Sequence, residues 1–318
     1  MDQAQAPSVS APAAQASGRA RSLIDYFWVT VRGFCMGAAD VVPGVSGGTM
    51  AFILGIYDEL INAIHAVNLR FVRRLITLRW RAAFGEFPWQ FLLALGMGIG
   101  LAIVILSRPL SHALETSPSL VWAFFFGLVL ASVVVVRKRV RRWTPVTIAL
   151  ALLAVAGAYI LVGLTPTETP NDAWFLFLSG AIAICAMILP GISGSFILVL
   201  LGKYQYVLGA VTRADVITLA IFAAGCAVGI VTFARVLRWL LRRYHDPTVA
   251  LLAGFMLGSL RKVWPWKDAV DGQANALPQA LTPEVGLALA LMVAGAALVI
   301  VIDLLAARRA AVAPAGAA

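Results

Sequence analysis

Apolar stretches recur along the whole chain, at roughly 26–42, 44–66, 89–107, 119–136, 144–163, 173–189, 191–211, 215–237, 247–263 and 284–305, separated by short polar or basic connections. The pattern predicts an all-α polytopic membrane protein of about ten hydrophobic segments and no soluble second domain. Two pairs of segments are divided by too little chain for an ordinary loop: the first pair only by Val42, Pro43 and Gly44, the second only by Leu189, Pro190 and Gly191. Proline removes a backbone donor and glycine tolerates turns, so both are read as helix breaks inside the membrane, each pair forming a hairpin that re-enters or spans briefly.

Composition agrees with lipid as the solvent: 61% of the 318 residues are hydrophobic and 13% charged, with a mean hydropathy of +0.90. The net charge of +10 comes mainly from Arg and Lys in short loops between apolar segments, so it is read as a topology signal and a nucleic-acid role is discarded. Five basic residues fall after the second segment (Arg70, Arg73, Arg74, Arg79, Arg81) and five after the fourth (Arg137, Lys138, Arg139, Arg141, Arg142), which places both loops and both termini in the cytoplasm of a bacterial inner-membrane protein. Arg213, Arg261, Lys262 and Lys267 are the exceptions and would lie outside. Eight tryptophans flank apolar segments as an interfacial belt: Trp28, Trp80, Trp89, Trp143, Trp174, Trp239, Trp264 and Trp266.

The two breaks belong to an internal repeat. An offset of 147 residues carries Gly33 to Gly180, Pro43 to Pro190, Gly44 to Gly191, Ser46 to Ser193, Gly47 to Gly194, Gly55 to Gly202 and Tyr57 to Tyr204. Further on, at offsets near 130, Gly96 and Gly100 pair with Gly225 and Gly229, and Gly127 with Gly258. One unpaired crossing between the halves makes the repeats inverted. The chain then divides into a disordered cytoplasmic tail (1–22), a first repeat (23–143), a linking helix and external loop (144–172), a second repeat with the final helix (173–305) and a cytoplasmic tail (306–318).

After each break the chain restarts as a helix, with Ser46, Gly47, Gly48 and Thr49 in one half and Ser193, Gly194 and Ser195 in the other. Free N–H groups at such starts suit an anion, phosphate above all, and two starts meeting near the midplane would share one site. Close packing of small residues is the competing explanation. Asp40 lies in an apolar run and its repeat counterpart is Met187, so it is a candidate carrier of a coupled H+ or Na+, or else a cap on the broken helix. Glu59 or Asp58 is a second acid for that role, and Arg108 either touches an anionic headgroup or snorkels to the surface. Cys35, Cys185 and Cys226 lie in apolar segments without metal-ligand spacing, so no metal or cofactor is expected.

The stretch from Gly33 to Tyr57, with its partner from Ala186 to Tyr204, resembles the bacterial and archaeal polyprenyl-phosphate transporters, and the similarity runs from about residue 24 to about 305. The resemblance implies a flippase that returns undecaprenyl phosphate, the carrier lipid of cell-wall synthesis, from the outer to the cytoplasmic leaflet. It also implies that Ser46, Gly47, Gly48 and Thr49 hold the phosphate together with Ser193, Gly194 and Ser195. A transporter of a small soluble anion would use the same helix starts. An intramembrane lipid phosphatase is disfavoured because neither Ser46 nor Ser193 has a His or Lys beside it.

Overall fold

A computed structural model describes residues 21–42, 45–67, 71, 73–74, 77–267, 274–278 and 280–312. Pro43 and Gly44, the tail before residue 21 and the chain after 312 lie outside the described residues. Among those residues the chain is helical, and its helices fall into two similarly wired halves.

In the first half α1 (Leu23–Val41) starts on a capping box, in which the Ser22 hydroxyl accepts the Asp25 N–H and the Asp25 carboxylate accepts the Ser22 N–H. It is followed by the short helices α2 (Gly47–Ile53), α3 (Tyr57–His65) and α4 (Trp80–Glu86), then by α5 (Trp89–Thr116) and α6 (Pro118–Arg137). The bridge between halves is α7 (Pro145–Leu161). The second half repeats the order: α8 (Ala173–Ile188), short α9 (Gly194–Leu200) and α10 (Tyr204–Thr212), then α11 (Val216–Arg243) and α12 (His245–Ser259). The last helix is α13 (Pro283–Val312), which runs past the expected boundary at 305.

Four helices, α5, α6, α11 and α13, are long and apolar enough to cross a membrane; α9 and α10 qualify as a pair bent by 104°, and α7 and α8 are apolar but shorter. Their outward residues, such as Leu93, Val104, Leu152, Leu153 and Val293, are exposed leucines and valines, a surface made for lipid. The protein is a multi-pass membrane protein. Two further features differ from the sequence expectation: α4 is a helix inside the basic connection, and α5 continues through Pro109 to Thr116 where a segment end had been placed at 107. A proline inside such a helix removes one N–H without ending it when the surroundings supply alternatives.

Helices in matching positions of the two halves pack in matching pairs. α1 lies along α5 and α8 along α11; α6 lies along α13 and α12 along α7. Helices approach this closely only where a side chain is missing. A Cβ on Gly33 would strike the Leu95 carbonyl and one on Gly98 the Thr30 carbonyl, while in the second half Gly180 faces the Phe222 carbonyl and Gly225 the Phe177 carbonyl. Thr30 and Phe177 keep the 147-residue offset of the breaks, but Leu95 with Phe222 and Gly98 with Gly225 are 127 apart. The register from α5 onward is therefore 127, and the sequence pairing of Gly96 with Gly225 and Gly100 with Gly229 was two residues out. Gly96 and Gly100 face open space.

The same 127-residue shift pairs Gly127, packed on Met292, with Gly254, packed on Ala151, instead of with Gly258. It also pairs two buried serines, Ser132 and Ser259, whose hydroxyls donate to the Leu128 and Met256 carbonyls of their own helices. Valine at Gly98 or Gly225 should overpack a helix contact and cost about 1–3 kcal/mol. Valine at Gly96 should change the melting temperature little. Thermal unfolding of the three variants in detergent checks this, and equal melting points would refute the 127-residue register.

Candidate functional site

Each half contains a hairpin built on the same backbone turns. At the tip of the first, Leu54, Gly55 and Ile56 donate to the carbonyls of Met50, Phe52 and Ala51; at the tip of the second, Leu201, Gly202 and Lys203 donate to Ile197, Val199 and Leu198. Gly55 (φ 70°) and Gly202 (φ 63°) hold the left-handed conformation that these C-terminal turns require.

The breaks themselves dock on each other. α1 ends at Val41 and α2 begins at Gly47; α8 ends at Ile188 and α9 begins at Gly194. A chain that stops being helical inside an apolar bundle exposes carbonyls and N–H groups that lipid cannot satisfy. Here they are satisfied across the halves. The Ser46 hydroxyl lies 3.2 Å from the Leu189 carbonyl and 3.4 Å from that of Met187. The Thr49 hydroxyl accepts the Gly191 N–H at 3.0 Å, and the Tyr57 hydroxyl donates to the Ile188 carbonyl at 3.2 Å. Ser46, Thr49 and Tyr57 are all at most 1% exposed. Gly48 is small because the Ile188 carbonyl crosses where its Cβ would stand. Gly191 combines φ 93° with close approach to Met256 and Ser259, so no other residue fits.

The two helix starts are not equivalent. At α2, the Asp40 carboxylate accepts the Gly47 N–H at 2.7 Å and the Ser46 hydroxyl accepts the Gly48 N–H at 3.1 Å. A carboxyl group of the protein itself thus occupies the helix start where an anion was expected. At α9, Ser193 makes no capping bond; its hydroxyl is paired with that of Ser195 at 2.7 Å. Ser193 is buried and Ser195 exposed, while Gly194 lies buried on the Ala183 carbonyl. Among the described residues neither the Ser46 nor the Ser193 hydroxyl is hydrogen-bonded to a histidine, lysine or carboxylate.

The remaining expected residues are not drawn to the breaks. Glu59 pairs with Arg21 at 2.6 Å, with both side chains about one-third exposed (31% and 35%). Asp58 and Arg108 are exposed, and Arg108 joins no hydrogen bond or ion pair among the described residues. Its equivalent at 127 residues is Arg235, exposed on α11.

Two cations that sequence reasoning missed hold the hairpin tips. Arg139, in the basic turn after α6, donates to the Phe52 carbonyl at 3.0 Å with its guanidinium 4.9 Å from the Phe52 ring. Lys203, 1% exposed, donates to the Thr169 carbonyl at 2.7 Å and to Asn171 Oδ1 at 2.6 Å. Lysine beside a tip glycine in an apolar run was the available signal for the second; Arg139 was hidden among five basic residues read only as topology.

Fold and site together define a multi-pass helical membrane protein whose halves interlock through interrupted helices. The chain belongs to the undecaprenyl phosphate translocase-like family, whose model matches residues 36–280. A Vibrio cholerae protein named a polyprenyl-phosphate transporter is 43% identical over 256 residues, covering 80% of this chain and 82% of its own length. A Staphylococcus aureus protein of the same name is 32% identical over 257 residues, 75% of this chain and 86% of its own. No solved structure matches the chain.

Replacing Thr49 with valine should leave the Gly191 N–H unpaired and destabilise the protein by about 1–3 kcal/mol. Replacing Ser195, which is exposed, with alanine should have little effect on stability. Unfolding midpoints in detergent test the contrast; a silent Thr49→Val variant would show that the cross-half bond contributes nothing.

Proposed function

We propose that the protein is a transporter that moves undecaprenyl phosphate from the outer to the cytoplasmic leaflet of the bacterial inner membrane. The observation that carries this reading is the pair of helix breaks docked on each other, one start closed by Asp40 and Ser46, the other uncapped at Ser193. Family membership and the names of the two relatives support the cargo. In this reading both termini are cytoplasmic, as the basic turn from Arg137 to Arg142 argues, and the halves are inverted about the single crossing α7.

The phosphate monoester first meets the start of α9, where Ser193, Gly194 and Ser195 offer hydroxyl and backbone donors while the isoprenoid tail stays in lipid. The bonds from Ser46, Thr49 and Tyr57 to the second break then part as one half rocks against the other. Passage to α2 needs the Gly47 N–H, which Asp40 releases on taking up a proton or a sodium ion. Asp40 thereby couples an ion gradient to the exchange of one anion for another.

Flipping of a fluorescent polyprenyl phosphate in liposomes tests the function. Wild-type protein should flip it rapidly, and a Ser193→Ala/Ser195→Ala variant should lose about tenfold or more of the rate, equivalent to roughly 1.4 kcal/mol. Absence of flipping by the wild type under any proton or sodium gradient would sink the reading. Asp40→Asn keeps an oxygen acceptor for the Gly47 N–H but cannot be charged or protonated in the same way. It should flip at a rate indifferent to the gradient, and an unchanged gradient response would remove Asp40 from coupling.

A further inference from the structure

Arg261, Lys262 and Lys267 fall on the face that the positive-inside pattern should leave poor in cations, and the structure gathers them just past the end of α12. The Arg261 guanidinium donates to the Tyr159 carbonyl at 2.9 Å and lies 4.3 Å from the Tyr159 ring. The Lys267 ammonium donates to the Arg261 carbonyl at 3.3 Å and to Asn275 Oδ1 at 2.6 Å. Among the described residues the Lys262 ammonium has no hydrogen bond, and it stands 5.0 Å from the Phe196 ring. None of the three pairs with a carboxylate among the described residues. Burial and the two neighbouring cations push the Lys267 ammonium down to about 8.

Such crowding of like charge in a half-buried place is unfavourable unless something anionic arrives. The cluster is also recessed. Trp264 packs on Phe126 at 5.2 Å, seven residues into α6 from Ser119, the residue that holds Glu284 at the start of α13. At 1.5 Å per residue this is roughly 10 Å below that rim. Trp264 and Trp266, expected in the interfacial belt, are half-buried against each other at 5.5 Å and form an aromatic wall beside the cations. Nor is the cluster part of the symmetric scaffold, since the 127-residue equivalents of Arg261 and Lys262 are Val134 and Val135.

Its position relative to the breaks is direct. Gly191 packs on Met256 and Ser259, and Lys262 follows Ser259 by one turn, its N–H donating to the Ser259 carbonyl at 2.9 Å. The ring under the Lys262 ammonium belongs to Phe196, the neighbour of Ser195 at the uncapped start of α9. An anion held by Lys262 would thus lie near Phe196, one residue along α9 from Ser195.

We propose that Lys262 and Lys267, set by Arg261, form a capture site for a phosphate monoester, drawing the headgroup into the vestibule before Ser193 and Ser195 receive it. The lipid attached to that phosphate rests on the transport reading above; the phosphate chemistry does not. Lys262 is the primary contact, because its ammonium makes no hydrogen bond or ion pair among the described residues, and Lys267 adds charge behind it.

Binding to the purified full-length protein in detergent tests this, with farnesyl phosphate and inorganic phosphate as probes and farnesol as the uncharged control. The Lys262→Gln/Lys267→Gln variant should bind both phosphates about tenfold more weakly and lose much of the salt dependence, as removal of two cations from an anion site requires. Lys262→Arg/Lys267→Arg should restore both, which separates charge from damage to the fold. Wild-type affinity and salt dependence in the glutamine variant, or farnesol binding as well as farnesyl phosphate, would overturn the site. Lysine-dependent binding of inorganic phosphate by a protein that neither prefers nor flips the lipid probe would uphold the site and discard the lipid cargo.

Discussion

Every other feature of this protein depends on the need to pair backbone groups where two helices are interrupted inside an apolar bundle. Water is not available there, so an unpaired N–H or carbonyl costs several kcal/mol at full desolvation, of the order of about 2–7. The protein meets the demand across the molecule: Ser46 and Tyr57 bond carbonyls of the second break, and Thr49 takes its Gly191 N–H. Each break thus draws part of its hydrogen bonding from the other half. That dependence explains why the glycine-lined contacts of α1 with α5 and α8 with α11 are so close, since they fix the rigid walls against which the breaks must align.

The hairpin tips extend the same logic to the surfaces. Helix ends leave carbonyls without partners. The first tip is closed by Arg139, reaching from the turn after α6, and the second by Lys203, reaching to the chain before α8. The cations come from different places in the two halves, since the 147-residue equivalent of Lys203 is Ile56. The backbone of the hairpins is repeated while the ties that hold them are not. In the proposed transport, similar hairpins with different ties would allow the two sides to be released separately.

The breaks and the membrane setting were legible in the sequence because proline, glycine and hydropathy act locally. The register of the long helices was not, because Gly96, Gly98 and Gly100 alternate and only packing reveals that Gly98 is the one against Thr30. Asp40 was legible as an acid out of place, and its capping role was foreseen as an alternative; that it caps Gly47, seven residues on, depends on how the chain folds back at the break. Arg139 could not be singled out, since its partner is a backbone carbonyl 87 residues away that any sequence would supply. Trp264 was legible only as a residue flanking an apolar segment; that its indole N–H donates to the Ala276 carbonyl depends on how the chain after α12 folds back.

The difference between the two helix starts gives the proposed transport its physical form. If Asp40 left α2 before an anion arrived, the Gly47 N–H would be orphaned in a dry interior, and the intermediate would be too costly to populate. An exchange of acceptors avoids that state. A phosphate monoester, carrying about −1.5 to −2 charge near neutral pH and three acceptor oxygens, can bond the α9 donors and begin to bond α2 while Asp40 withdraws. Neutralising Asp40 with an ion weakens the resident acceptor at the moment the incoming one is strongest. The same carboxylate holds the empty site closed, so the rocking motion proceeds readily only with cargo. On this argument Asp40 has no counterpart at Met187 because two resident anions would leave the phosphate no start to bind first.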